Sequence, residues 1–319
     1  MTSWLDIQKE IEQGKSPEKP GGDYDAVRRL KYGLIKQITG RPLLVYATAF
    51  HVPQKSQIAA PFLPIDLSDK DGFHEIMRNI NVDEVDVYIH SPGGSAEATE
   101  SIVRMLRSKY KVIRFIITGT AKSAATMLAL SGDSILMNKS AELGPIDPQV
   151  RVKGRYSPAG SIKEQFRKAS IELSKNPARL PVWIPILQEF APSLLVECDN
   201  FIKLSKSLVQ DWLTKYMFQN KSGARRKAIK IARFLTDEKK SLSHARRIDA
   251  EQLRELGVVV DLIEDLDERA QDACQQLHLS IMATLDSTQA VKIFENSEGA
   301  ALIRGVQVSP VRPGNLPIH

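Results

Sequence analysis

Two stretches of the chain repeat one pattern, and the repeat restricts the fold more than any other feature. Residues 85–89 (Val-Asp-Val-Tyr-Ile) and residues 112–118 are apolar, β-branched runs of strand length. Each runs into a turn, and each turn opens a run with helical spacing. The first turn is Ser91-Pro92-Gly93-Gly94-Ser95 and the second is Gly119-Thr120-Ala121-Lys122-Ser123-Ala124-Ala125. The first helix, residues 95–108, gathers Ala98, Ile102, Met105 and Leu106 on one face. The second, residues 124–130, is apolar nearly all round, which predicts burial. A short strand at 134–137 follows. Strands that alternate with helices at this spacing imply crossover connections and a largely parallel sheet, so the predicted fold class is α/β.

The rest of the chain is read around that centre. Residues 1–40 predict a polar helical arm broken at 19–22 (Lys-Pro-Gly-Gly). Residues 41–180 form the predicted core, with a first strand at 43–50, a loop at 51–64 because of its three prolines, and a short helix at 69–79. Helix is predicted from 161 onward. Residues 181–248 form a basic helical region, with thirteen Lys/Arg against three Asp/Glu between Lys203 and Arg247. A solvated helix face is the ordinary explanation; an acidic partner or a neighbouring subunit is the other. Residues 249–308 return to the core through a helix stopped by Gly257, a strand at 258–260, a helix at 265–279 and a hairpin around 296–299, read as an oligomerisation element. Residues 309–319 are Pro-rich and predict a disordered tail.

Bulk properties narrow the function. With 319 residues, 42% hydrophobic, the chain can build one large domain with additions, or two. A net charge of +6 is only mildly basic, and nucleic-acid binding does not follow from it. Cys198 and Cys274 have no metal-ligand spacing and suit a reducing compartment. No His/Cys/Asp cluster has ligand spacing, so neither a metal nor a cofactor is expected. No apolar run reaches the roughly 18–20 residues that span a bilayer, and the N-terminus lacks a signal-peptide pattern. The expectation is a cytoplasmic protein with no membrane span.

The two turns carry the chemistry. Ser123 stands at a helix N-terminus, where free N–H groups can bond a developing oxyanion. The Ala124 amide is one such donor. Gly93 or Gly94 can supply another, because glycine lets backbone approach a substrate closely. Each turn also has a plain structural reading: Ser123 as a helix N-cap, and the glycines as a tight strand-to-helix turn. What favours chemistry is the joint arrangement, since both turns fall at the carboxyl ends of neighbouring parallel strands, where open sheets bind ligands.

Residues 85–149 resemble the core of the ClpP/crotonase superfamily. There a strand ending in Ser-Pro-Gly-Gly is followed by a Gly-x-Ala-x-Ser segment that carries the nucleophile. Within it, 123–126 (Ser-Ala-Ala-Thr), 143–149 (Leu-Gly-Pro-Ile-Asp-Pro-Gln) and the stretch from Ser243-His244 to Leu256-Gly257 resemble the serine dehydrogenase proteinase family, related to signal-peptide peptidase A. The resemblance is close over 85–149 and looser over 40–300. It implies repeated β-β-α units, Ser123 as nucleophile, a peptide or unfolded-protein substrate, and a homo-oligomer. Two departures stand out. Many members look membrane-anchored through an N-terminal hydrophobic segment, which this sequence does not show. ClpP-type peptidases also take their histidine from the region that here reads Ile146-Asp147-Pro148-Gln149.

The base is therefore open. His244 has suitable chemistry, and the resemblance brings its segment near the cleft, where Asp147 could orient it. Lys163 is the alternative, because its distance from Ser123 in sequence matches the Ser–Lys dyad of membrane-linked relatives; it would need desolvation to act. Lys122 adjoins the serine but would point away. His51, His74, His90, His278 and His319 have weaker claims. The leading reading is a serine peptidase. A non-catalytic scaffold and a crotonase-like acyl-CoA enzyme are the competing ones.

Overall fold

The computed structural model describes residues 1–306. In chain order its strands are β1 (Leu43–Thr48), β2 (Glu84–His90), β3 (Val112–Ile117), β4 (Thr120–Ala121), β5 (Ser134–Met137), β6 (Glu142–Leu143), β7 (Gln149–Val152), β8 (Arg155–Pro158), β9 (Val260–Leu262), β10 (Ala290–Asn296) and β11 (Ala301–Gly305). The helices are α1 (Trp4–Gln13), α2 (Tyr24–Thr39), α3 (Pro53–Ile58), α4 (Asp69–Ile76), α5 (Ala96–Lys109), α6 (Ala124–Ala129), α7 (Ala159–Lys175), α8 (Leu180–Leu187), α9 (Leu194–Trp212), α10 (Ala224–Leu235), α11 (Glu238–Ser241), α12 (Ala250–Leu256) and α13 (Glu268–Ser287).

The main sheet runs β11-β10-β1-β2-β3-β5-β9. From β1 to β9 every pairing is parallel, as the crossover argument requires. β10 lies antiparallel to β1, with Tyr46 opposite Phe294, and β11 folds back on β10 as the edge. Every residue of β1 is buried. That is the mark of a strand covered on both faces, and it explains the unbroken apolar run in the sequence. One face carries α5, α6, α9 and α10; its core includes Ile102, Leu106, Leu128 and Ile231. The other carries α2 and α13, with Tyr32, Ile35, Leu277 and Ile281 between them and the sheet.

Three expectations need correction, and one hairpin is added to them. The first forty residues are helical and broken where expected, but they are not a polar arm. α2 inserts Arg28 and Tyr32 below the sheet, where Arg28 Nε donates to Glu295 at 2.8 Å and Tyr32 donates to the same carboxylate at 2.7 Å. A polar helix can be buried when each charge meets a partner. Residues 51–64 are not all loop: Pro53 begins α3, where its missing N–H costs nothing. Residues 149–158 form a hairpin turning through Lys153 and Gly154, both at positive φ. Finally, α7 starts at Ala159 and packs with α9 around Ile162, Leu194 and Cys198, so the added helices begin before residue 181. The basic helix α10 buries Ala228, Ile231 and Leu235 and turns its charges outward, as a solvated face does. The tail predicted for 309–319 lies outside the described residues.

Candidate active site

A second, short ladder crosses the carboxyl ends of the parallel strands. Ile65 bridges Gly94, Ser91 bridges Ala121, β4 pairs with β6, and Leu143 bridges Ile248. Each crossover unit thus gives one strand to the main sheet and a few residues to the small ladder before its helix begins. The ladder sets side by side the glycine turn, the Ser123 turn, the 143–149 loop and the segment that follows His244.

Ser123 is held in a strained backbone. Its φ is 52° and ψ is −120°, and its side chain makes no cap bond to α6. The N-cap reading therefore fails. A non-glycine residue in this region costs on the order of 1–3 kcal/mol and persists only when its surroundings over-determine it. They do: Lys122 N–H donates to the Ser91 carbonyl (3.0 Å), and Met127 N–H donates to the Ser123 carbonyl (3.0 Å). The Lys122 side chain leaves the site, ion-paired with Glu142 at 2.9 Å and bonded to the Leu143 carbonyl at 3.1 Å.

The glycine turn rests on Ser123. Gly93 has φ of +99°, and a methyl group there would stand 2.6 Å from Ser123 Cβ and 3.0 Å from the Ala124 nitrogen. The Gly93 amide donates to Ser91 Oγ at 3.2 Å, while the Gly93 carbonyl accepts from Ile65 N–H at 2.7 Å. In a trans peptide the C=O and N–H point opposite ways. The Gly94 amide is thereby directed away from Ile65. Ala124 N–H, first of α6, has no acceptor within the helix.

His244 and Asp147 meet. His244 Nδ1 lies 2.8 Å from Asp147 Oδ1; the aspartate is 1% exposed and the imidazole 28%. Gln149 Nε2 donates to the other Asp147 oxygen at 2.8 Å. An Nδ1–H given to a carboxylate leaves Nε2 as the lone-pair nitrogen. Among the described residues no hydrogen bond joins Ser123 to His244; in ligand-free sites such bonds are often long and tighten when substrate binds.

Lys163 is placed elsewhere. It lies on α7, ion-paired with Asp199 and 41% exposed, so it is neither desolvated nor joined to the ladder. His51, His90 and His278 cluster on the α13 side of the sheet. Burial, with His51 nearby, pushes the His278 imidazole down to about 4, and burial lowers His90 further below its ordinary range. His90 is buried and His278 half-buried, and as neutral packed rings the two serve the core; His51 is exposed and meets Asp286 at 2.9 Å. Among the described residues no group of His, Cys, Asp and Glu is arranged to hold a metal. Sequence reasoning missed Gln149 and Ile65 as parts of the site. Gln149 lay within the quoted 143–149 motif, two residues past Asp147; Ile65 gave no signal.

Residues 58–182 match the family described as ClpP-like SDH-type serine proteinase. An uncharacterised protein of Methanocaldococcus jannaschii is 29% identical over 198 residues, covering 62% of this chain and 60% of the relative. A second from the same organism is 30% identical over 191 residues, covering 59% and 56%. The chain thus spans less than two thirds of the length of the curated relatives it matches. Among solved structures, a variant of the 1510-N membrane-bound stomatin-specific protease in complex with a substrate peptide is 19% identical, with a TM-score of 0.39, covering 62% of this chain and 71% of that one. Another variant of the same protease gives a TM-score of 0.38 at 19% identity, covering 62% and 75%.

Proposed function

Because residues 58–182 match the family of ClpP-like SDH-type serine proteinases, we propose that this chain hydrolyses peptide bonds, with Ser123 as nucleophile, His244 as general base and Asp147 as the group that orients it. One observation carries the reading: a His–carboxylate pair at 2.8 Å flanks the ladder whose next rung leads into a strained serine free of any capping duty.

The chemistry follows from those positions. A serine hydroxyl is a weak nucleophile until a base takes its proton. His244 Nε2 takes it as Oγ attacks the carbonyl carbon. Asp147, buried and fixed by Gln149, stabilises the imidazolium that results. The carbonyl oxygen becomes an oxyanion that accepts from Ala124 N–H and the glycine turn, with Gly94 better directed than Gly93. One such donor is typically worth about 2.7–4 kcal/mol of transition-state stabilisation. His244 then protonates the leaving amine, and water attacks the acyl-enzyme by the same route in reverse. The histidine and aspartate stand in exchanged places relative to the ClpP-type order.

The substrate class that suits this site is a peptide or an unfolded protein. We further infer a homo-oligomer, supported by the edge strand β11 with Ile303 39% exposed and by the uncovered Leu180, Val182 and Ile184 of α8. The basic outer face of α10 is the surface an acidic partner would meet. A cytoplasmic location accords with the two free, buried cysteines. No described helix is long and apolar enough to cross a membrane.

A fluorophosphonate probe tests the reading. Wild type should label, Ser123→Ala and His244→Ala should not, and Lys163→Ala should label normally. A folded wild type that stays unlabelled would overturn the assignment in favour of the scaffold or thioester readings.

A further inference from the structure

Lys292 is a fully buried cation far from Ser123 in sequence. It stands on β10, and its Nζ donates to both carboxylate oxygens of Asp69 at 2.7 Å and to the Pro64 carbonyl at 2.8 Å. Both side chains of the pair are 0% exposed. A buried ion pair is weak evidence for stability, because desolvation consumes most of the attraction. Its connections are more informative.

Two routes lead from this pair to the same peptide. In one, Asp69 Oδ2 accepts the Tyr46 hydroxyl at 3.0 Å, the Ser91 side chain stands beside that hydroxyl, and Ser91 Oγ accepts the Gly93 amide at 3.2 Å. In the other, the lysine holds the Pro64 carbonyl and Asp69 holds the Asp66 amide at 3.2 Å, which fixes the backbone on either side of Ile65. Ile65 then donates to the Gly93 carbonyl at 2.7 Å and accepts the Ser95 amide at 2.9 Å. The Gly93 amide and carbonyl are thus both referred back to one ammonium group.

We propose that Lys292 is a positioning residue for the oxyanion turn: paired with Asp69, it sets the Ile65 and Ser91 supports that fix the orientation of the Gly93–Gly94 peptide beside Ser123. The catalytic consequence rests on the peptidase reading; the mechanical link between Lys292 and the turn does not.

The full chain carrying Lys292→Met with Asp69→Asn removes both charges together, so no lone buried ion is left. Tyr46→Phe cuts the Ser91 route with a smaller change and serves if the double variant does not fold. Three quantities are read: kinact and KI for a fluorophosphonate, the end-point stoichiometry of labelling, and hydrogen exchange in segments 62–69 and 91–96. Small displacements of catalytic groups cost up to about 100-fold. The expected result is kinact lowered about 10- to 100-fold with KI within about two-fold and labelling still complete, together with faster exchange in both segments. Partial unfolding would instead lower the end-point stoichiometry. Unchanged exchange in 91–96, or unchanged kinact in a variant whose exchange has risen, overturns the proposal. If wild type does not label, the peptidase reading fails, and exchange alone decides whether the turn depends on Lys292.

Discussion

Gly93 and Ser123 are packed so closely that a single methyl group on the glycine would stand 2.6 Å from the serine Cβ. The two turns that the sequence displays separately are therefore one object. A side chain added at Gly93 would push the Ser123 turn aside.

Gly93→Ala should damage both the fold and the site. The added methyl meets backbone at Lys122 and Ala124, and φ of +99° disfavours any L side chain. We expect a loss of about 1–3 kcal/mol in stability and at least about 100-fold in fluorophosphonate labelling rate. Urea unfolding and labelling kinetics on the same preparation check it; a folded variant that labels at the wild-type rate would refute the contact.

Asp147→Asn should leave the fold in place but spoil the imidazole's orientation and tautomer. In the serine protease template, the same change costs about 10⁴-fold in turnover. A loss of at least about 10³-fold in labelling rate, with an unchanged melting temperature, is expected here. A loss under ten-fold would remove Asp147 from the mechanism.

Acid should destabilise the protein through the α13 side of the sheet. His278 is held near 4 when folded, against about 6.5 when unfolded. The unfolded chain therefore binds more protons between those values. This contribution is complete above about pH 6.5 and is lost as pH falls toward 4, with about 2 kcal/mol gone by pH 5. Urea unfolding of wild type and His278→Gln at pH 7.5 and 5.0 measures it. The variant should lose less stability between the two pH values; equal losses would place the acid sensitivity elsewhere.

Glu295→Ala should be severe although it lies far from Ser123. It strands Arg28, which is 0% exposed and otherwise bonded to Thr284 and Asp25. Breaking a buried pair on one side costs about 3–5 kcal/mol. Thermal denaturation should show it, and a melting temperature within two degrees of wild type would contradict the burial.

The parts of this fold legible in the sequence are those with a period or a punctuation mark. Residues 85–89 and 112–118 announce buried strands by composition, and Gly257 ends α12 in the left-handed conformation that glycine permits. Ser123, Asp147 and His244 were nominated from motif and chemistry, and the structure brings the last two together. The ladder that brings them together left no trace. Ile65, Ser91 and Ile248 each give it a single bridge, and one residue has no alternation to detect. α2 reads as a surface helix because Arg28 and Lys31 look like surface residues until their partners, Glu295 and Glu10, are known. Lys163 is a candidate only by its distance along the chain, a quantity that says nothing of desolvation; its partner Asp199 stands on α9, which no motif pairs with α7.

The bridge between Leu143 and Ile248 also fixes an order in time. A chain emerging from the ribosome exposes Ser123 and its glycine turn long before the segment bearing His244 exists. On the peptidase reading, the nascent polypeptide carries a nucleophile without a base until the last rung of the ladder is laid. Synthesis itself then acts as the safety catch: an unfinished copy holds a nucleophile without its base, and competence arrives only with a completed fold.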